Sequence, residues 1–274
     1  MTDTTLGARR LRELLDEHGI VPRKELGQNF VIDPNTIVKM VDLAQVGPDD
    51  HIVEIGAGAG SLTLVLANRA SRVTAVEFDR ALIAVLTDVI ADCNNVAVIQ
   101  ADALRLDIGT IGATALVGNL PYNIAATVVI GALEDASQVR TLTVMTQREV
   151  GERLAASPGS KSYGATSVLV AYFGEARVAA RVSRRAFYPE PNVDSVIVRI
   201  VRHAITPAIA YGRFREVVKT TFSQRRKMVR NTLAGITGSA AEAEAVLARA
   251  GIPAGARPEE LGFEGFAAVA AELS

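Results

Sequence analysis

The 274-residue sequence predicts an α/β protein, a mostly parallel sheet with flanking helices, followed from about residue 204 by a small all-helical domain. Three observations predict it. Short apolar runs alternate with helical patterns between residues 51 and 146, the order expected of parallel strands joined by crossover helices. Several of these runs end in a polar residue or a glycine turn, where open α/β sheets keep their ligands. Beyond residue 205 the pattern is helical throughout, broken only at Gly and Pro.

Taken in order, residues 6–18 carry Leu11, Leu14 and Leu15 on one side of a short helix and Arg9, Arg10 and Arg12 around the other. Leu26-Gly27-Gln28-Asn29-Phe30-Val31-Ile32 follows, an apolar run interrupted by glycine and two amides. Asp33-Pro34 then reads as the cap and first residue of a helix to about Ala44. A buried strand from His51 runs into Gly56-Ala57-Gly58-Ala59-Gly60, where glycine lets the backbone come close to a ligand. The dinucleotide fingerprint wants glycine at its sixth place, and Ser61 stands there instead, which argues against a nicotinamide-dependent dehydrogenase.

The second strand, from Val73, ends at Glu77, 21 residues after Gly56. An acid at that spacing can accept hydrogen bonds from both hydroxyls of a ribose. Asp79 reads as the cap of the helix from Arg80 to Ala91. A third strand leads to Asp102, an acceptor suited to the amino group of an adenine. Each acid taken singly also fits a helix cap or a surface charge. Their succession at strand ends points to one ligand.

The fourth strand, Ala115 to Val117, opens into Gly118-Asn119-Leu120-Pro121-Tyr122-Asn123. Such a loop suits attack by an exocyclic amine of a nucleobase, whose lone pair is delocalised and needs two acceptors to hold its hydrogens out of plane. The Asn119 side-chain oxygen and the Leu120 carbonyl can be those acceptors, because Pro121 holds the backbone and brings no N–H. Tyr122 can stack on the base, a contact worth about 1–3 kcal/mol. The same residues also fit a plain turn with Tyr122 covering core.

These motifs together resemble the KsgA/RsmA family of small-subunit rRNA adenine dimethyltransferases. Asn119-Leu120-Pro121-Tyr122 is similar to the Asn/Asp-Pro-Pro-Tyr class of motif in amino-methyltransferases, and Glu54 with Gly56, Gly58 and Gly60 to their cofactor loop. Gly27 to Val31 resembles the family's Gly-Gln-Asn-Phe-Leu element, with Val31 in place of Leu. Gln147 to Val150, Lys161 to Gly164, Phe187 to Ser195 and Phe222 to Lys227 also match in order.

The resemblance implies a Rossmann-like methyltransferase domain over residues 1–203 and a helical domain over 204–274. It implies S-adenosylmethionine as cofactor, held by Asn29, Val31, Gly56, Gly58, Glu77, Asp102 and Asn119. Catalysis falls to Asn119, Leu120, Pro121 and Tyr122, with Phe187 either closing the second face of the base or lying in the core of a proline-stiffened hairpin. The expected reaction is methyl transfer to N6 of two adjacent adenosines near the 3′ end of 16S rRNA, within the 30S subunit or its precursor. The related 23S rRNA methyltransferases of macrolide resistance, and a noncatalytic assembly factor on the same scaffold, are the alternatives.

Charge agrees with a polyanionic partner. Net charge is −1, yet Ala176 to Thr232 holds thirteen Lys and Arg against three acids, a net of +10 that leaves −11 on the remainder. Arg225, Arg226, Lys227 and Arg230, expected on one long helix from Tyr211 to Leu233, are the candidate phosphate contacts. One cysteine and three scattered histidines predict neither disulfide nor metal site. With no apolar run long enough for a membrane span, the expectation is a monomeric cytoplasmic protein.

Overall fold

The computed structural model describes residues 5–23, 27–224 and 227–273. Helix α1 spans Ala8–Glu17, strand β1 Phe30–Val31 and helix α2 Pro34–Ala44. The alternating stretch follows as β2 (His51–Ile55), α3 (Ser61–Ala67), β3 (Arg72–Glu77), α4 (Arg80–Val89), β4 (Val96–Gln100), β5 (Ala115–Asn119), α5 (Ala125–Asp135) and β6 (Thr141–Gln147). Then come α6 (Arg148–Leu154), α7 (Ala165–Phe173), β7 (Gly174–Val182), β8 (Phe187–Tyr188) and β9 (Ser195–Arg202). Helices α8 (Tyr211–Phe222), α9 (Val229–Thr237), α10 (Ala240–Arg249) and α11 (Phe263–Glu272) complete the chain.

Contacts divide the chain into two compact units. One comprises residues up to Gly151 with Arg177–Arg202, and the other Glu152–Ala176 with the residues from His203. The first holds a seven-stranded sheet in the order β4-β3-β2-β5-β6-β9-β7. Strands β4, β3, β2, β5 and β6 are parallel in turn, and β9 runs antiparallel to β6. The order reverses between β2 and β5, so their carboxyl ends flank a crevice at the topological switch point. Strands β2, β3, β5 and β6 are mainly apolar and buried along most of their length, whereas β4, at the sheet edge, is partly exposed.

Residues from α2 (Ile37, Met40, Val41) and α3 (Leu62, Val65, Leu66) pack on Ile52, Val73 and Val117 of the sheet. A second cluster joins Leu11, Leu14 and Leu15 of α1 to Phe30 and to Leu82 and Val85 of α4. Helix α2 begins as the sequence predicts, with Asp33 accepting from the amides of Asn35 and Thr36 and Pro34 at the first turn. Asp33→Ala should therefore lower stability to urea by about 1 kcal/mol. A change under about 0.3 kcal/mol would mean the cap contributes little.

The second unit is all helical apart from the first residues of β7. Residues 152–176 group with it rather than with the sheet, a difference from a single boundary near residue 203. The cause is long-range: Tyr163 Oη donates to the Leu261 carbonyl at 2.8 Å, and Tyr172 Oη to the Ile209 carbonyl at 2.7 Å. The Tyr172 ring also packs on Phe214 and Phe263.

The long helix expected from Tyr211 to Leu233 is two helices. The first ends at Phe222, Met228 is extended as the N-cap of the second, and the Val229 amide bonds the Ala256 carbonyl rather than a preceding turn of helix.

Candidate functional site

At the switch point lies a cavity of about 240 Å³. Its walls bring together Asn29, Gly56, Gly58, Glu77, Asp102, Asn119 and Pro121, residues spread over more than ninety positions of the chain. Each arrives for a local reason. Gly56 and Gly58 have positive φ (76° and 57°), and a Cβ on Gly58 would sit 3.3 Å from the Phe30 ring. Glu77 closes β3 and is buried, with one oxygen accepting from the Gly58 amide (2.7 Å) and the other from the Asp79 amide (2.8 Å). Burial pushes the Glu77 carboxyl above its usual range. Asp102 follows β4 and accepts from the Leu104 amide at 3.0 Å.

Asn119 ends β5, and its Nδ2 donates to the Asn29 carbonyl at 2.9 Å. The reversed amide would set two acceptors face to face, so Oδ1 is the atom left for a ligand. The Leu120 side chain is buried, and its amide bonds the Met145 carbonyl, which holds the loop on β6. The Pro121 carbonyl accepts from Ile124 and Ala125 and starts α5. Tyr122 is half-buried, its hydroxyl 3.3 Å from Ser195 Oγ, and burial raises its pKa.

Not every expected residue reaches the cavity. Val31 lies in the core and lines a smaller neighbouring recess. Leu120 and Tyr122 do not line this cavity, although Pro121 between them does. Phe187 is 2% exposed, packed in the same core cluster as Val31, and pairs with it in a short antiparallel ribbon of β1 and β8. Of the two places expected for Phe187, the ring occupies the core of the hairpin here, where β8 turns it into the cluster with Val31. The hairpin serves the loop through Ser195 instead.

The walls also include Gln28, Phe30, Phe78 and Asp79, which the sequence reading did not assign to the site. Phe78 is 59% exposed, unusual for an aromatic ring between two acids at a strand end. That position next to Glu77 was the available signal.

Glu54, on β2, lines the smaller recess with Gly56, Gly58, Ser61 and Asn119. Neither carboxyl oxygen has a hydrogen-bond partner. Burial raises its pKa from 4.5 to about 8, and the Glu77 charge adds to the rise. The folded protein without ligand thus keeps a proton that the unfolded chain sheds above pH 4.5. Stability from this group is fully present below 4.5 and is lost as pH rises through about 8. Relative to Glu54→Gln, the native protein should lose stability across this window with a slope approaching about 1.4 kcal/mol per pH unit. Urea midpoints from pH 5 to 8 that run parallel in the two proteins would contradict it.

Of the candidate phosphate contacts, Arg225 and Arg226 lie outside the described residues. In the helical unit Lys227 is exposed, while Arg230 forms an ion pair with Glu244 at 3.3 Å. Among the described residues no group of His, Cys, Asp and Glu is placed to hold a metal ion. No helix among them is long and apolar enough to cross a membrane.

Residues 21–273 match the family described as ribosomal RNA adenine dimethylase. The chain is 43% identical over 276 residues to the ribosomal RNA small subunit methyltransferase A of Streptomyces coelicolor, covering 98% of this chain and 96% of that protein. Among solved structures it is similar to the 23S rRNA methyltransferase ErmE, with a TM-score of 0.71, 29% identity, and coverage of 89% of this chain and 99% of that one. A dimethyladenosine transferase from Plasmodium falciparum shares the fold, with a TM-score of 0.78 at 21% identity over 88% of this chain and 95% of that one.

Proposed function

The chain belongs to the ribosomal RNA adenine dimethylase family, and on that premise we propose that it methylates N6 of two adjacent adenosines near the 3′ end of 16S rRNA, in the 30S subunit or its precursor. It is a methyltransferase that uses S-adenosylmethionine. The single observation that carries the site assignment is the Asn119 amide, whose nitrogen is committed to Asn29 and whose oxygen is left to accept from an amine beside the cavity.

The residues present fit the cofactor. Glu54 is a buried carboxyl without a partner, suited to a cationic group, and Glu77 keeps lone pairs for hydroxyls after serving two amides. Asp102 keeps acceptor capacity for an amino group, and Gly56 and Gly58 leave room where a Cβ would intrude. When bound, S-adenosylmethionine supplies a methyl group already activated on sulfur.

The chain's own work is alignment and exclusion of water. Asn119 Oδ1 and the Leu120 carbonyl accept the two hydrogens of the adenine amine and turn its lone pair out of the ring plane. Tyr122, held by Ser195, offers its ring to the base and offsets part of the few kcal/mol spent in unstacking it. After the first transfer the amine retains one hydrogen, and one acceptor suffices.

Small-subunit rRNA is favoured over 23S rRNA by the named relatives and by Leu120 and the Gly27 element. Lys227 with Arg225 and Arg226 would meet rRNA phosphates, giving salt-dependent affinity without sequence reading. The protein acts as a monomer in the cytoplasm, with no metal. Methyl-labelled cofactor should label unmodified 30S subunits at two neighbouring adenosines near the 16S 3′ end. Label entering 23S rRNA instead, or no RNA, would overturn the assignment.

A further inference from the structure

The segment before β1 lies against the Asn119 loop, and one buried carboxylate ties it down. Asp79 is 7% exposed and fixed to the sheet, since its amide bonds Glu77 and its side chain accepts from the Ala81 amide at the start of α4. Arg23 Nη2 donates to both Asp79 oxygens at 2.9 Å, and Gln28 Nε2 donates to Oδ2 at 2.7 Å. Arg23 and Gln28 also clasp each other, the Arg23 amide donating to Gln28 Oε1 at 2.8 Å and the Gln28 amide to the Arg23 carbonyl at 3.3 Å. The next residue, Asn29, presents the carbonyl that receives Asn119 Nδ2. Gly27, at φ 66°, brings the same backbone so close that a Cβ would sit 3.3 Å from that of Pro121.

Neutralising a buried acid explains one cation, and Arg23 alone would do it. It does not explain why Gln28, one residue before the Asn29 carbonyl, is fastened to the same oxygen.

We propose that Arg23, Gln28 and Asp79 form a latch whose role is to fix the Asn29 carbonyl, and through it to keep Oδ1 of Asn119 turned toward the adenine amine. The proposal rests on the reading of Asn119 as the amine acceptor. Arg23 and Asp79 are positioning residues: neither touches the amine, and their effect passes through one main-chain carbonyl. An amide has two unlike ends and needs such a partner to choose between them, whereas a carboxylate at 119 has no N–H for the Asn29 carbonyl and so cannot be steered through it.

The test compares Arg23→Met, which leaves the Asp79 cap of α4 intact, in two backgrounds. At saturating cofactor, kcat should fall about tenfold or more in the native background, since small misplacements are costly in an aligned transfer. In an Asn119→Asp background the same change should have little further effect. A rise confined to the KM for cofactor would show that the segment only retains the ligand, and an equal fall in both backgrounds would show a general structural loss. Either result overturns the latch. Asp79→Asn, which keeps a capping oxygen but loses the charge, should repeat the pattern if Arg23→Met proves unstable.

A second readout needs no turnover. In 15N-labelled protein the Asn119 side-chain amide, identified by its disappearance in Asn119→Asp, should exchange slowly with solvent and become faster and shifted in Arg23→Met. Unchanged amide signals overturn the latch whatever the activity. Altered signals in a protein that does not methylate 30S subunits would support the latch and fault the assigned reaction instead.

Discussion

Replacing Asn119 with alanine should lower kcat for methyl transfer about 10²–10³-fold, while affinity for unmodified 30S subunits stays within about twofold. The size follows from losing one preorganised polar partner of the reacting group, a class of change that costs about this much elsewhere. It acts on turnover because the amine's lone pair must leave the ring plane only as the bond to carbon forms. Affinity should be spared because Asn119 is a single polar contact and the proposed phosphate contacts lie in another part of the chain, around Lys227. The structural loss is one hydrogen bond to the Asn29 carbonyl, so stability should change by only about 1 kcal/mol. A variant that keeps more than about a tenth of native kcat would remove Asn119 from the chemistry. One that loses RNA affinity in proportion would make it a binding residue, as a noncatalytic assembly factor requires.

The largest effect on folding is expected at the residue before it. Gly118 lies inside β5, beside β2, and a Cβ there would fall 2.5 Å from the Ile55 carbonyl oxygen and 3.2 Å from Leu120 Cδ2. The first neighbour is backbone of a central strand and cannot swing away. Gly118→Ala should therefore destabilise the protein by about 3 kcal/mol in urea unfolding, at the upper end of the usual cost of overpacking. The same displacement would part the carboxyl ends of β2 and β5, the two walls of the switch-point crevice, so cofactor affinity measured by calorimetry should fall as well. Gly131, within α5 and with open space at its Cβ position, is the control. There alanine should stabilise by about 0.5–1 kcal/mol through helix propensity alone. Equal effects at both positions would refute the steric account.

The core of the sheet could be read directly from the chain. Strands β2, β3, β5 and β6, buried along most of their length, and the partly exposed edge strand β4 stand where their mainly apolar runs lie, because a covered sheet needs little more than hydrophobicity along its strands. The caps at Asp33 and Asp79 were legible too, being contacts within three residues. Helix α7 was not: its sequence ATSVLVAYF is apolar on nearly every side and β-branched, so no helical period marks it. Only burial around Tyr172 makes it a helix of the second unit.

Within the site the division is the same. The sequence by itself determined which residue types stand at the strand ends, and therefore a crevice for a nucleotide-like cofactor beside an acceptor for an amine. That information is local, carried by hydrophobic runs and turn residues. What only the tertiary structure decided is how distant residues are shared out. Phe187 went to the core opposite Val31, Ser195 went to Tyr122, and Arg23 was brought across 56 positions to Asp79. None of these pairings follows from spacing, because a ring or a charge has many possible partners along a chain, and packing in three dimensions selects among them.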